Sequence, residues 1–135
     1  MTDGRAPRVL LVDDQSRMRT SLRNLLQDEG IVVVGEAADG EEGVATARAL
    51  SPDVVLMDLR MPRLNGIQAT VEIKRLLPTT QVVIFTAYDD PGIQRNAAEV
   101  GAHAYLVKGC PPQVILSTVL DAWEDAPRAR GLPRA

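Results

Sequence analysis

The sequence has 135 residues, with 15 Lys and Arg against 18 Asp and Glu and a formal net charge of −3. This fits one domain of ordinary size and argues against a nucleic-acid module built on a basic patch. Hydrophobic residues make up 45% and charged residues 24%, the balance of a soluble globular chain, and no apolar run approaches the roughly 18 residues of a membrane span. The single cysteine, Cys110, excludes an intrachain disulfide and a thiolate metal cluster, so a reducing, cytoplasmic setting is expected.

A polar lead precedes the short apolar run 9–12, which predicts strand β1. Asp13 and Asp14 follow at once, which speaks against a secretory signal. Residues 17–28 carry Met18, Leu22, Leu25 and Leu26 at helical spacing and predict α1, with Ser16 as N-cap and Gly30 at the exit. Strand β2 is expected near residues 32–35. Asp39 then opens α2, with Glu42 three residues on in a reciprocal capping arrangement, and Val44, Ala47 and Leu50 form its apolar side. Pro52 stops that helix, and residues 54–57 predict β3.

Residues 67–77 predict α3, ending before Pro78. Strand β4 spans residues 82–86. Asp90-Pro91 is a cap and first-turn pair for α4, residues 91–100, a weakly apolar helix with Ile93, Ala97 and Val100 facing inward. Strand β5 covers residues 104–107. Helix α5 starts near Pro111 or Pro112 and packs with Ile115, Val119 and Ala122, or with Val114 and Thr118. After Trp123 the pattern fails, dividing the chain into a folded domain, residues 1–123, and a linker or frayed tail, residues 124–135.

Strands β1, β3 and β4 are almost wholly apolar, as strands of a parallel sheet covered on both faces must be. Strand β2, ending in Gly35-Glu36, and β5, with His103 and Tyr105, are edge candidates. The expected fold is an α/β, doubly wound, five-stranded parallel sheet with right-handed crossovers. Ligands of such sheets bind beyond the carboxyl ends of the strands. Asp13 and Asp14 close β1, Asp58 closes β3, Thr86 closes β4 and Lys108 closes β5. With β1 between β2 and β3, these residues converge on one cleft.

Three carboxylates brought together repel one another until a cation relieves them. Hard oxygen donors without histidine or thiol point to Mg²⁺, or Mn²⁺ as its substitute. A hydroxyl, an ammonium and a divalent cation around an aspartate are what three phosphoryl oxygens require, which makes Asp58 the nucleophile. Taken singly, each residue is equally a turn or cap residue at a strand end. Their joint placement is the signal.

The segments Leu10-Leu11-Val12-Asp13-Asp14, Val54-Val55-Leu56-Met57-Asp58-Leu59-Arg60-Met61-Pro62, Asn65-Gly66, Phe85-Thr86-Ala87-Tyr88 and Gly101-Ala102-His103-Ala104-Tyr105-Leu106-Val107-Lys108 resemble, in this order, the receiver domain of bacterial two-component response regulators. The resemblance runs from Val9 to about Trp123. It implies a flavodoxin-like strand order of 2-1-3-4-5. It also implies that Asp58 is the phosphoacceptor, that Asp13 and Asp14 place Mg²⁺, and that Arg60 offers the metal its backbone carbonyl. Thr86 matches the switch hydroxyl, Tyr105 the aromatic switch residue, and Lys108 the lysine that pairs with the phosphoryl group. The implied phosphodonor is a sensor histidine kinase, with acetyl phosphate as a small substitute. The implied output is a change in dimerisation or domain contacts, with a homodimer through α1 and α5 or through the α4–β5–α5 face.

The wording Val34-Gly35-Glu36-Ala37-Ala38-Asp39-Gly40, together with the segment around Asp58, is most similar to the subfamily with a C-terminal helix-turn-helix DNA-binding domain. No such domain lies within these 135 residues, so DNA contact would come only through it. Arg128, Arg130 and Arg134 would suit a linker.

Two positions depart from the family pattern. Gly109 stands where proline usually follows the site lysine, and a cis bond there is not assumed. Asn65-Gly66 replaces Asp-Gly, both suiting a tight turn or a left-handed residue. His103 reads as a turn or edge residue, Tyr88 as a lining residue of the cleft, and Trp123 as a packing or dimer-face residue. Gly35, Gly40 and Gly43 make no nucleotide-binding loop. The alternatives are a phosphorylation-independent interaction module of receiver fold, which Gly109 favours, and a metal-dependent phosphohydrolase. The second would need an acid–base residue where Arg60 stands.

Overall fold

A computed structural model describes residues 5–127. Its elements alternate along the chain: β1 (Arg8–Val12), α1 (Ser16–Asp28), β2 (Val32–Ala37), α2 (Gly40–Leu50), β3 (Val54–Met57), α3 (Gly66–Leu76), β4 (Gln81–Thr86), α4 (Pro91–Glu99), β5 (Ala104–Val107) and α5 (Pro112–Glu124). All strands pair in parallel, in the order β2-β1-β3-β4-β5. The expected doubly wound sheet is realised, with β2 and β5 at its edges.

Successive side chains of a strand point to opposite faces, and here both faces are covered. Val9 and Leu11 of β1, Val54 and Leu56 of β3, and Val83 and Phe85 of β4 pack with Leu22 and Leu26 of α1 and Ile115 and Val119 of α5. The alternate residues Leu10, Val12, Val55, Met57, Val82 and Ile84 pack with Ala47 of α2, Ile73 of α3 and Ala97 of α4. Burying one such aliphatic side chain contributes about 1.5–3 kcal/mol. The unbroken apolar runs thus hold two cores apart with one sheet.

Several boundaries differ from expectation. Ser16 is the first helical residue of α1, and Gln15 occupies the cap position without a side-chain bond. Strand β2 runs on to Ala37, because β1 continues to pair with it as far as Val12 opposite Ala37. In α2, Asp39 accepts from the Glu42 amide, while Glu42 accepts from Ala38 rather than from the cap residue itself. Helix α5 buries Ile115, Val119 and Ala122 and leaves Val114 exposed. Trp123 is 1% exposed and belongs to the core under α1 and α5, so it packs and does not face a dimer partner. In α4, Ala97 is buried, Ile93 is half-buried, and Val100 is the C-cap.

Among the described residues no helix is long and apolar enough to cross a membrane. The tail expected over residues 124–135, with Arg128, Arg130 and Arg134, lies largely outside the described residues. The two sides of the sheet diverge at β1 and β3, and a crevice of this kind at the carboxyl ends of the strands is where a ligand fits.

Candidate functional site

Strands β1 and β3 are neighbours, with Val12 opposite Met57, so the residues that follow leave the sheet side by side. The Asp58 amide donates to the Val12 carbonyl at 2.8 Å and the Asp13 amide to that of Ala37 at 3.0 Å, carrying the ladder one residue past the strands. Carboxylate oxygens of Asp13, Asp14 and Asp58 come within 4.8 Å of one another. Asp13 is 3% exposed and Asp58 7%, while Asp14 is exposed. Two buried acids and one open acid therefore share one mouth.

Lys108, just past β5, reaches into this cluster. Its Nζ lies 2.8 Å from Asp13 Oδ2 and 3.6 Å from Asp58 Oδ2. In this state the lysine is held more closely by Asp13 than by Asp58. Among the described residues there is no cis peptide bond, so Lys108–Gly109 is trans, and Gly109 has φ of 103°. That left-handed turn suits glycine. The turn does not loosen the lysine, because its backbone amide donates to the Thr86 carbonyl at 2.6 Å.

The loop after β3 holds Asp58 by close approach. A Cβ on Gly66 would lie 2.2 Å from the Asp58 carbonyl oxygen. Gly66 is thus required for space and not for a left-handed conformation, which in this loop belongs to Arg63 at φ 70°. Asn65 and Gln68 form a reciprocal capping box that starts α3 at this point. The Asn-Gly pair accordingly serves as a helix cap followed by a close contact, where the sequence pointed to a turn.

Burial pushes the Asp58 carboxyl above its ordinary range, and the Asp13 charge adds to this. The Lys108 ammonium and the Leu59 amide, 2.8 Å from Asp58 Oδ1, act against the shift, and Asp14 adds to it. A carboxyl raised in the folded state contributes stability that is present at low pH and lost as pH rises through its folded value. With Mg²⁺ chelated, the wild type should lose stability relative to Asp58→Asn as pH rises above the ordinary Asp value of about 4 and through the raised folded value, read by urea unfolding. A stability gap that stayed flat across that window would contradict this electrostatic reading.

The same repulsion is what a divalent cation would relieve. The cluster offers only carboxylate oxygens within mutual reach, the donor set that Mg²⁺ takes. The residues present therefore fit that ion.

Thr86 ends β4 fully buried, and its Oγ1 accepts from the Tyr88 amide at 3.4 Å. The half-buried Tyr105 on β5 donates its hydroxyl to the Tyr88 carbonyl. Burial pushes the Tyr105 phenol upward, with the charges of Asp90 and Asp89 adding to this. Tyr88 is 40% exposed, and the Arg60 guanidinium stacks 4.3 Å over its ring. The Arg60 side chain is thus engaged by an aromatic face and is not an acid–base group beside Asp58. Leu59, Arg60, Asn65, Ile67, Ile93 and Asn96 line a cleft of about 230 Å³ between the β3–α3 loop and α4.

His103 stands before β5, at the amino end of that strand and away from the cluster. Its ring nitrogen lies 3.4 Å from the Gln81 amide. Sequence reasoning missed Arg19 and Glu36. Arg19 donates to the Asp13 carbonyl at 2.5 Å and to Glu36 at 2.9 Å. Only the pairing of α1 with the end of β2 reveals that contact.

The chain matches the family model described as response regulator receiver domain over residues 9–120. It is 40% identical over 112 residues to the response regulator UvrY of Escherichia coli, covering 82% of this chain and 51% of that protein. The chain thus spans about half the length of the curated relatives it matches. Among solved structures, the signal receiver domain of NarL from Mycobacterium tuberculosis superposes with a TM-score of 0.85 at 35% identity, covering 89% of this chain and 98% of that one. A CheX–CheY–BeF3–Mg²⁺ complex from Borrelia burgdorferi superposes with a TM-score of 0.82 at 26% identity, covering 86% and 88%.

Proposed function

The chain belongs to the response-regulator receiver family, and on that premise we propose that Asp58 accepts a phosphoryl group from the phosphohistidine of a sensor histidine kinase. Asp13, Asp14 and Asp58 form the acidic cluster characteristic of the Mg²⁺-dependent phosphoacceptor site of this family. The observation that carries the reading is their mutual approach within 4.8 Å beneath the Lys108 ammonium. Arg60 would add its backbone carbonyl to the metal-binding set.

When bound, Mg²⁺ neutralises charge on the carboxylates and on the phosphoryl oxygens. An Asp58 oxygen attacks phosphorus in line as the bond from phosphorus to the donor imidazole breaks. The imidazole leaves with the electron pair and takes a proton, and an acyl phosphate remains on Asp58. With acetyl phosphate the leaving group is acetate. Lys108, already 3.6 Å from Asp58, exchanges its Asp13 contact for a phosphoryl oxygen with little movement. The Thr86 hydroxyl supplies a further hydrogen bond. In-line attack by water later releases phosphate and restores the carboxylate.

Phosphorylation shifts an equilibrium between two packings of the β4–α4 loop and α4. Support comes from Tyr105, whose hydroxyl rests on the Tyr88 carbonyl next to Thr86, and from α4, in which Ala97 is the buried residue. The altered surface changes dimerisation, through α1 and α5 or the α4–β5–α5 face, or contacts with an output domain. UvrY is a response regulator about twice as long as the matched region, and DNA binding would belong to such an added domain. In this reading the receiver, expected to end at residue 123, extends to the end of α5 at Glu124, the residues after it are a linker, and the location is cytoplasmic.

The test is to incubate the wild-type chain with acetyl phosphate and weigh it intact. One phosphoryl group should be gained with Mg²⁺, lost again on standing, and absent with a chelator. No gain in the presence of Mg²⁺ would overturn the acceptor role and leave an interaction module of the same fold.

A further inference from the structure

Every polar atom of Asp13 has a partner. Its amide donates to the Ala37 carbonyl at 3.0 Å, and its Oδ1 accepts from the Gln15 amide at 2.9 Å. Its Oδ2 holds the Lys108 ammonium at 2.8 Å, and its carbonyl accepts from Arg19 at 2.5 Å. Three of these partners belong to the strand ladder, to the loop itself or to the reactive cluster. The fourth is a side chain one turn into α1, outside the cluster of Asp13, Asp14, Asp58 and Lys108.

Arg19 cannot swing freely. Its Nε is held 2.9 Å from Glu36 on β2, and Arg23 grips the same carboxylate at 2.7 Å. Arg19 is 17% exposed at the side chain and Glu36 30%. Burial pushes the Glu36 carboxyl up, but the two guanidiniums outweigh it and hold it below the usual range. A charged, planar donor fixed at one end thus presses its other end on a single carbonyl. The exposed Asp14 follows that carbonyl directly, so the direction of its carboxylate depends on how the 13–15 loop is pinned.

We infer that Arg19, braced by Glu36, is a positioning residue that orients Asp13 and Asp14 for Mg²⁺. The inference rests on the Mg²⁺-dependent phosphoacceptor reading. Arg23 provides the internal comparison, because it shares Glu36 but makes its contact away from the Asp13 carbonyl. Loss of Arg23 removes part of the same ion-pair network and leaves the Arg19–Asp13 bond in place.

The experiment is a Mg²⁺ titration of the folded chain, followed by the amide NMR signals of Gln15 and Leu59, which donate to the Asp13 and Asp58 carboxylates. Arg19→Ala should raise the Mg²⁺ Kd roughly tenfold, the scale on which partners behind a metal ligand act. Arg23→Ala should stay within about twofold of wild type. Thermal midpoints measured without metal report any general loss of stability separately. Should Arg19→Ala fail to fold, Arg19→Met, which keeps the aliphatic stem, carries the same expectation. A Kd within about twofold of wild type for the Arg19 variant, or an equal loss in Arg23→Ala, would overturn the positioning role. No Mg²⁺ response in the wild type would overturn the phosphoacceptor reading and this inference with it.

Discussion

Asp58→Asn is expected to take up no phosphoryl group under conditions in which the wild type takes up one. The substitution is nearly isosteric. The amide oxygen can still accept from Leu59, as Asp58 Oδ1 does at 2.8 Å. What is lost is the negative charge and the nucleophilic oxygen, and with them the covalent step itself. Loss of a nucleophile in a built site lowers rates by a factor on the order of 10⁶, which is below detection by intact mass. Misfolding is not the expected cause. Removing one carboxylate from a crowded, desolvated cluster relieves repulsion, so at neutral pH the variant should unfold at higher urea than the wild type in the absence of Mg²⁺. Uptake of a phosphoryl group by Asp58→Asn at a rate near that of the wild type would mean that the acceptor lies elsewhere.

The second large effect is expected at Lys108, and its two consequences have opposite signs. The ammonium lies 2.8 Å from Asp13 and 3.6 Å from Asp58, near both the reacting carboxylate and the metal-binding one. In Lys108→Ala the transferring phosphoryl group loses a cationic partner, and labelling by acetyl phosphate should slow by roughly 10²–10³. This corresponds to about 2.7–4 kcal/mol of barrier. Mg²⁺ should meanwhile bind as well as in the wild type or better, because a competing positive charge has left Asp13. Rates from mass spectrometry and Mg²⁺ affinity from NMR titration separate the two. If labelling were unaffected, the lysine would have no part in transfer. If Mg²⁺ affinity fell in step with the rate, its role would be to hold the carboxylates in place.

Much of the site could be read before folding was considered. Asp13, Asp14, Asp58, Thr86 and Lys108 each follow an apolar run, and the carboxyl ends of parallel strands share one edge of the sheet. Placement at that edge is therefore a local property of each segment. The partners that tune the site were not legible in the same way. Arg19 reads as one more solvated residue on an amphipathic helix until β2 brings Glu36 beneath it. Arg60 supplied a backbone carbonyl by resemblance, whereas the fold stacks its side chain on Tyr88 from the neighbouring loop. Gly66 looked like a turn residue, and only the return of the chain over Asp58 shows that a methyl group would not fit there.

Residue order alone specified the strands, the helices and, except in α5, their inward faces, since apolar spacing over a few residues decides which side of an element avoids water. Folding decided everything that depends on two distant segments meeting. The choice of Ile115 over Val114 for the inner face of α5, the burial of Trp123 and the extra length of β2 each follow from what lies opposite. So does the reach of Lys108 to Asp13, a contact between residues 95 positions apart. Hydrophobic patterning is carried by each segment by itself, whereas a hydrogen bond or ion pair forms only when packing sets both partners within about 3 Å.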